Sequence, residues 1–220
     1  MGNMVTLKTN DGHSLSAYVA EATHDLKGGI VLIQEIFGIN AHIKDVCDRY
    51  AKHGYTTIAP ALFDRIEPKI DLDYDSDGVA KGVDLKGKCS EDLALADIAA
   101  AQDHIKSLGT ISIIGYCWGG TLAYLAACKL SGFSKAISYY GGGVAKLKDE
   151  QPQIPLMMHF GDQDTSIPMT DVDAIMTARP ESKIFIYQAG HGFNCDRRSS
   201  YDANASKVAL ERSLHFIAGD

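Results

Sequence analysis

A cysteine framed by glycines is the strongest chemical signal in the sequence. Cys117 lies at the centre of a G-x-C-x-G pattern, between an apolar run that predicts a strand and a run rich in alanine and leucine that predicts a helix. Glycines two positions away on either side permit a sharp turn that holds the central side chain outward in a strained conformation. The start of the following helix favours the thiolate over the thiol. The pattern predicts an activated nucleophile; the alternative is a buried core cysteine beside packing glycines.

A nucleophile on such a turn requires a carboxylate and then a histidine later in the chain. Asp162 and Asp164 both follow an apolar run, at the position where the carboxylate belongs. Asp164 is favoured, because an aspartate that makes a local turn and caps the next helix is better placed at position 162. His191 lies between two glycines after a later apolar run, in a loop able to reach the cysteine. These spacings predict a catalytic triad of Cys117, Asp164 and His191.

Strand and helix patterns alternate through the body of the chain. Strands are expected at 29–34, 55–59, 111–115, 136–140, 154–160 and 184–188, and helices at 41–53, 90–108, 121–130, 168–178 and 203–217. An Asn-Asp-Gly turn between 4–9 and 14–20 predicts an N-terminal antiparallel hairpin. The stretch 63–89 has little apolar periodicity and is expected to be a long loop. The alternation predicts an α/β fold, in which a mainly parallel central sheet has helices on both faces and a binding crevice at the carboxyl ends of its strands.

The composition indicates one globular domain over residues 1–220. Of the 220 residues, 45% are hydrophobic and 22% are charged, which is enough apolar material for one sizeable core. The formal charge is −7 and no run is rich in Lys and Arg, which argues against nucleic acid or an anionic membrane surface as a partner. The start of the chain lacks the pattern of a signal peptide, and no stretch approaches the roughly 20 apolar residues of a membrane span. We therefore expect a cytoplasmic protein.

The cysteines and histidines do not predict a metal site. Five cysteines are scattered along the chain, an odd set that is unlike a disulfide framework. His191, Cys195 and Asp196 are close in sequence, but no second cluster completes a set of ligands. The glycine patterns that bind phosphates or dinucleotides are missing as well. We expect reduced thiols, no metal and no organic cofactor.

Five short motifs make the chain resemble the dienelactone hydrolase (carboxymethylenebutenolidase) family over almost its whole length. They are Gln34 to Gly38, Gly115 to Gly120, Tyr139 to Gly141, Gly161 to Asp164 and Ala189 to Phe193. The resemblance implies the α/β-hydrolase fold and hydrolysis of an ester or lactone by the triad described above. It also implies that Glu35 contacts the cysteine in the resting enzyme and readies it for attack. The backbone amides of Ile36 and Trp118 are the implied oxyanion hole.

The resemblance further implies a substrate that carries a carboxylate, which family members hold with arginines. In the family pattern a serine follows the histidine and an arginine lies a few residues beyond, whereas this chain has Gly192 and Cys195 there. The candidates for substrate binding are Arg198, Arg65, Lys81 and Tyr139. The hypothesis is a hydrolase of a small lactone or ester; a monomer is compatible with the sequence, which leaves the oligomeric state open. A broader carboxylesterase or thioesterase is the first alternative, and a redox-sensing or ligand-binding protein without hydrolytic activity is the second.

Overall fold

An eight-stranded sheet forms the centre of the computed structural model, which describes residues 2–219. Its strands are β1 (Asn3–Lys8), β2 (Ser14–Ala20), β3 (Gly28–Ile33), β4 (Tyr55–Pro60), β5 (Ile111–Tyr116), β6 (Lys135–Tyr139), β7 (Leu156–Gly161) and β8 (Lys183–Tyr187). Their spatial order is β1-β2-β4-β3-β5-β6-β7-β8. β1 pairs antiparallel with β2, and β2 with β4, while all other pairs are parallel. The predicted hairpin and mainly parallel sheet are confirmed.

Helices connect the parallel strands and cover the sheet. They are α1 (Ala41–Lys52), α2 (Ser76–Lys88), α3 (Glu91–Ile105), α4 (Trp118–Lys129), α5 (Val144–Leu147), α6 (Met169–Ala178) and α7 (Ala203–Ala218). Sheet and helices together make the α/β-hydrolase fold, as the sequence predicted. Within residues 2–219, no helix is both long enough and apolar enough to cross a lipid bilayer.

The middle strands carry the core and aim the functional residues at one edge of the sheet. Every residue of β3, β4 and β5 is buried, which explains why these segments are nearly continuous apolar runs rather than alternating ones. Because parallel strands end at the same edge, residues that follow them lie near one another. Cys117 follows β5, Glu35 follows β3, Asp164 follows β7 and His191 follows β8.

One helix lies where the sequence predicted a loop. α2 occupies the second half of the stretch 63–89, and the side chain of Asp75 caps it by accepting a 2.8 Å hydrogen bond from the amide of Gly78. Two of the buried positions of α2 are glycines, Gly78 and Gly82. A Cβ on Gly82 would lie 2.2 Å from the carbonyl oxygen of Ile36. Glycine is needed for this close packing, and it hides the apolar periodicity that would have predicted the helix.

Candidate functional site

Cys117 lies on a strained turn between β5 and α4. Its backbone angles are φ 55° and ψ −117°, and a positive φ costs a residue with a Cβ about 1–2 kcal/mol. The flanking glycines are required by space, because a Cβ on Gly115 would lie 1.8 Å from the carbonyl oxygen of Gly119. A Cβ on Gly119 would lie 2.4 Å from the carbonyl oxygen of Gln34. The turn therefore presents the half-buried Cys117 side chain at the end of the strand.

His191 bridges the thiol and a carboxylate. Its Nε2 lies 3.2 Å from Sγ of Cys117, and its Nδ1 lies 2.7 Å from Oδ2 of Asp164. The hydroxyl of Ser200 donates to the carbonyl oxygen of His191 at 2.6 Å, which restrains the histidine loop. An imidazole in this position can take the thiol proton, while the carboxylate orients the ring and stabilises the imidazolium.

Asp164, and not Asp162, contacts the histidine. Asp164 is buried, and its Oδ1 accepts hydrogen bonds from the amides of Ser166 and Ile167 at 2.8 and 3.1 Å. Its Oδ2 is the atom that meets His191. Asp162 is exposed. The turn-making role that the sequence favoured for Asp162 therefore belongs to Asp164, which performs it with one oxygen and holds the imidazole with the other.

The surroundings of His191 favour its protonated form. Burial lowers the pKa of the imidazole, but the hydrogen bonds with Asp164 and Cys117 and the charges of these two groups outweigh burial and raise the pKa to about 10. At neutral pH the ring therefore carries a proton. An imidazolium beside a thiol is the arrangement that stabilises a thiolate.

The two residues expected to supply backbone amides both line the cleft in front of Cys117. Trp118 is the first residue of α4, so its amide has no acceptor within the helix. Its ring stacks on Phe63 with 5.3 Å between centroids, so this side chain is both cleft wall and core. Ile36 follows Glu35 directly and lines the same cleft. Amides from these two positions are those that this fold uses to hold an oxyanion.

Glu35 is held by partners other than the cysteine. It is fully buried, accepts a 2.7 Å hydrogen bond from the hydroxyl of Tyr74, and has Oε1 3.3 Å from Nη2 of Arg198. No hydrogen bond joins Glu35 to Cys117 among residues 2–219; the thiol bonds with His191 instead. The expected resting contact between Glu35 and Cys117 is therefore corrected, because a phenol and a guanidinium bind the carboxylate.

Arg198 reaches the cleft because a glycine leaves room for it. A Cβ on Gly192 would lie 2.7 Å from Cδ of Arg198, and Gly192 has a φ of +77°. The guanidinium carbon lies 5.2 and 5.0 Å from the ring centroids of Phe37 and Tyr74, within the range of cation–π attraction. Arg198 lines the cleft, as expected for a substrate-binding candidate, but the carboxylate of Glu35 already balances its charge.

A cleft of about 460 Å³ opens in front of the cysteine and histidine. Its apolar lining consists of Ile36, Phe37, Val79, Val83, Trp118 and Ile167. Lys86 from α2 and Lys146 from α5 also line the cleft, and neither has an ion-pair partner within the described part of the chain. No Asp or Glu is among the described residues that line it. The cleft is therefore locally basic in a chain whose net charge is −7.

Two of the expected substrate-binding cations lie elsewhere. The guanidinium of Arg65 makes hydrogen bonds of 2.8 Å to both Asp97 and Asp11, and Asp97 is fully buried. Lys81 pairs with Glu67. Neither cation lines the cleft. The expectation that they bind substrate is corrected, because each already neutralises a carboxylate outside the cleft.

Tyr139 supports the site from behind rather than facing a substrate. Its side chain is fully buried, and its hydroxyl lies 2.7 Å from Oγ of Ser213. Its carbonyl oxygen accepts a 3.0 Å hydrogen bond from the amide of Cys117. The expected contact between the Tyr139 side chain and substrate is corrected, because the end of β6 turns that side chain into the core.

Three residues near the cysteine were not predicted from the sequence. Tyr74 binds Glu35, and Lys86 and Lys146 bring the positive charge to the cleft. Tyr74 and Lys86 fall in the stretch that was expected to be a loop, and the short helix that carries Lys146 has too few residues for a periodic signal. Recognising the Asp75 cap would have predicted a helix that carries Lys86.

Comparison with known proteins agrees with this architecture. The model of the dienelactone hydrolase family matches residues 15–219. A Synechocystis protein named "Putative carboxymethylenebutenolidase" is 36% identical over 203 residues, which cover 83% of this chain and 82% of the relative. The carboxymethylenebutenolidase of Pseudomonas putida is 31% identical over 226 residues, which cover 97% of this chain and 95% of the relative.

Solved structures share the fold along the chain. A crystal structure from Klebsiella pneumoniae named "Putative Dienelactone Hydrolase" superposes with a TM-score of 0.84 at 27% identity, covering 99% of this chain and all of that one. A Xanthomonas campestris structure, described as an α/β serine hydrolase without a lid, has a TM-score of 0.68 at 15% identity and covers 98% of this chain and 93% of its own; it supports the fold alone. The chain is a hydrolase and belongs to the dienelactone hydrolase family.

Proposed function

We propose that the protein opens a lactone or cleaves an ester of a small, anionic substrate through a covalent thioester on Cys117. The observation that carries the proposal is the continuous chain of contacts from Sγ of Cys117 through His191 to Asp164, with distances of 3.2 and 2.7 Å. A thiol, a base and an orienting carboxylate in this order are what nucleophilic acyl transfer requires.

The first half of the reaction forms the thioester. In the resting pair the proton of the thiol resides on Nε2 of His191, and the Cys117 thiolate attacks the carbonyl carbon of the substrate. The amides of Ile36 and Trp118 donate to the oxyanion. When the tetrahedral intermediate collapses, the carbon–oxygen bond to the leaving group breaks, and the imidazolium returns its proton to the leaving oxygen. An enolate leaves readily, whereas a plain alkoxide leaves poorly, so enol lactones and enol esters are the favoured substrates.

The second half releases the acid. His191 takes a proton from a water molecule, whose oxygen attacks the thioester carbon. The thiolate then leaves, and the product departs as a carboxylate. No step changes an oxidation state, and the triad with the two amides supplies all the proton transfers and the charge stabilisation.

The charges in the cleft support an anionic substrate. Glu35 neutralises Arg198, whereas Lys86 and Lys146 have no acidic partner in residues 2–219. Two cations opposed by no carboxylate in the cleft attract a negative group on the substrate over short range, although the net charge of the chain does not. The apolar side chains of Val79 and Val83 offer a surface for the body of the substrate.

The test is turnover of a matched set of enol lactones and activated esters, each with and without a carboxylate, by the wild type and by Cys117→Ala. We expect turnover that depends on Cys117, and a mass increase on the protein equal to the acyl group when the reaction is quenched early. A Cys117→Ala variant within a few-fold of the wild type, or no acyl adduct with any substrate, would contradict the covalent mechanism.

A further inference from the structure

Three side chains that bind metals well meet behind the catalytic cysteine. Glu35 follows β3, His42 lies in the first turn of α1, and Cys195 lies in the loop between β8 and α7. One ligand atom from each lies within 4.8 Å of the others, and all three residues are fully buried. The sequence had placed Cys195 beside His191 as an incomplete ligand set; the fold places it in a different group.

Several polar atoms of this cluster have no hydrogen-bond partner in the described part of the chain. They are both ring nitrogens of His42, shielded from solvent, and Oε1 of Glu35, which has the 3.3 Å ion pair with Arg198 but no hydrogen bond. A neutral imidazole has one N–H donor and one acceptor nitrogen, so leaving both unpartnered inside the protein is costly. Buried polar atoms without a hydrogen bond call for an explanation, and a bound metal ion is one that uses a nitrogen of His42.

We propose that Glu35, His42 and Cys195 bind a divalent transition-metal cation of the zinc type. Thiolate, imidazole and carboxylate together form a donor set that zinc prefers over magnesium or calcium. Zinc bonds of about 2.0–2.3 Å place tetrahedral donors roughly 3.3–3.8 Å apart. The cluster therefore reaches zinc geometry if its widest donor separation, at most 4.8 Å, closes by about 1 Å.

The neighbours of the cluster fit this assignment. Oδ1 of Asp196 lies 3.7 Å from Nδ1 of His42, too far for a hydrogen bond but near enough for a small shift to let this carboxylate orient the ring when Nε2 binds a metal. On binding, the Cys195 thiol releases one proton to solvent, so the thiolate and the carboxylates of Glu35 and Asp196 together balance the cation and the guanidinium of Arg198. The second oxygen and the remaining lone pairs of Glu35 leave its contacts with Tyr74 and Arg198 possible.

The experiment measures zinc and cobalt binding to the purified chain after treatment with a chelator. Zinc affinity is determined by competition with a chromophoric chelator, and Co²⁺ is added in a separate titration, in which thiolate coordination gives a near-ultraviolet charge-transfer band. The variants are Cys195→Ser and His42→Gln, with Cys89→Ser as a matched control. All are made in a Cys117→Ala background, so that the catalytic thiol contributes nothing and the outcome does not depend on catalysis.

We expect one zinc per chain in the Cys117→Ala background, a cobalt–thiolate band, and a thermal midpoint that rises with zinc. Removing a residue that only orients a metal ligand weakens metal binding by roughly 10–100-fold. Removing a ligand itself should cost at least as much, so we expect Cys195→Ser to weaken zinc binding about 100-fold or more and to abolish the cobalt–thiolate band. Cys89→Ser should leave the zinc affinity and the cobalt–thiolate band unchanged. If His42→Gln fails to fold, the near-isosteric Cys195→Ser still decides. Binding that disappears with Cys117→Ala, survives Cys195→Ser, or is absent at millimolar metal would overturn the proposal.

Discussion

Nε2 of His191 lies 3.2 Å from Sγ of Cys117, although 74 residues separate them in the chain. The contact exists because β5 and β8 end at the same edge of one parallel sheet, with Cys117 on the turn that follows β5 and His191 in the loop that follows β8. The same imidazole reaches Asp164 on its other side. The cysteine therefore has a protonated imidazole within hydrogen-bond distance that stabilises its thiolate, and Asp164 holds this ring in one orientation.

Cys117 should react with iodoacetamide before the other thiols. Cys47 and Cys195 are buried, and burial raises the pKa of Cys89 and of Cys128 to about 11, so these thiols carry little thiolate at neutral pH. Cys117 is half-buried and faces the protonated His191. Peptide mapping after a limiting dose should place the label on Cys117, and pre-labelled protein should lose turnover. First labelling of Cys89 or Cys128 would show that Cys117 is not activated.

Asp164→Asn should reduce kcat by about 10²–10⁴-fold, and Asp162→Asn should change it less than about threefold. The amide cannot stabilise the imidazolium, and its NH₂ group placed toward Nδ1 favours the wrong tautomer, whereas Asp162 is exposed and makes no contact with His191. Circular dichroism controls for folding, because Oδ1 of Asp164 also accepts from the amide of Ser166. Equal losses in the two variants would mean that the carboxylate does not act through the histidine.

The pH dependence of stability should carry the signature of His191. Its pKa is about 10 in the folded chain, above the ordinary histidine value of 6.5. The stabilisation from its protonated form is therefore complete below about pH 6.5 and is lost as the pH rises towards 10. Over this window, the free energy of unfolding should fall with pH more steeply in the wild type than in Asp164→Asn or Cys117→Ala, each of which removes one hydrogen bond that raises the pKa. An NMR titration of the ring near pH 6.5 in the wild type would contradict this expectation.

The sequence predicted which side chains meet at Cys117 better than it predicted the walls of the cleft. Glycine spacing around Cys117 has a direct steric cause, so the pattern identifies the turn without knowledge of distant residues. The roles proposed for Arg65 and Lys81 depended on which carboxylates lie near them in space, and sequence patterns do not contain that information. The contact of Glu35 with Tyr74 likewise depends on α2, whose buried glycines conceal it.

Lys86→Ala and Lys146→Ala should each lower kcat/KM on the carboxylate-bearing substrate by about two- to fivefold, because both lysines are exposed and their attraction is screened by solvent. In both variants, kcat/KM on the matched neutral substrate should fall less than kcat/KM on the carboxylate-bearing one. Lys88→Ala is the control, since Lys88 pairs with Asp84 on the same helix and does not line the cleft. Salt should weaken the selectivity of the wild type for the anion. Equal effects of Lys86→Ala on both substrates would favour a general esterase.

Gly192→Ala should damage the site, whereas Gly190→Ala should be tolerated. At Gly192 the φ of +77° disfavours any side chain by about 1–2 kcal/mol, and the new Cβ would lie 2.7 Å from Cδ of Arg198. The arginine must move, so Glu35 loses its ion pair inside the protein and becomes free to change position. At Gly190 the nearest atom would be 3.6 Å from the new Cβ, which is ordinary contact.

Both substitutions lie next to His191, so a general disturbance of the histidine loop would affect the two variants alike. We expect the thermal midpoint and kcat/KM to fall for Gly192→Ala and to stay near the wild type for Gly190→Ala; parallel losses would show that the space occupied by Arg198 is not what requires a glycine after the histidine.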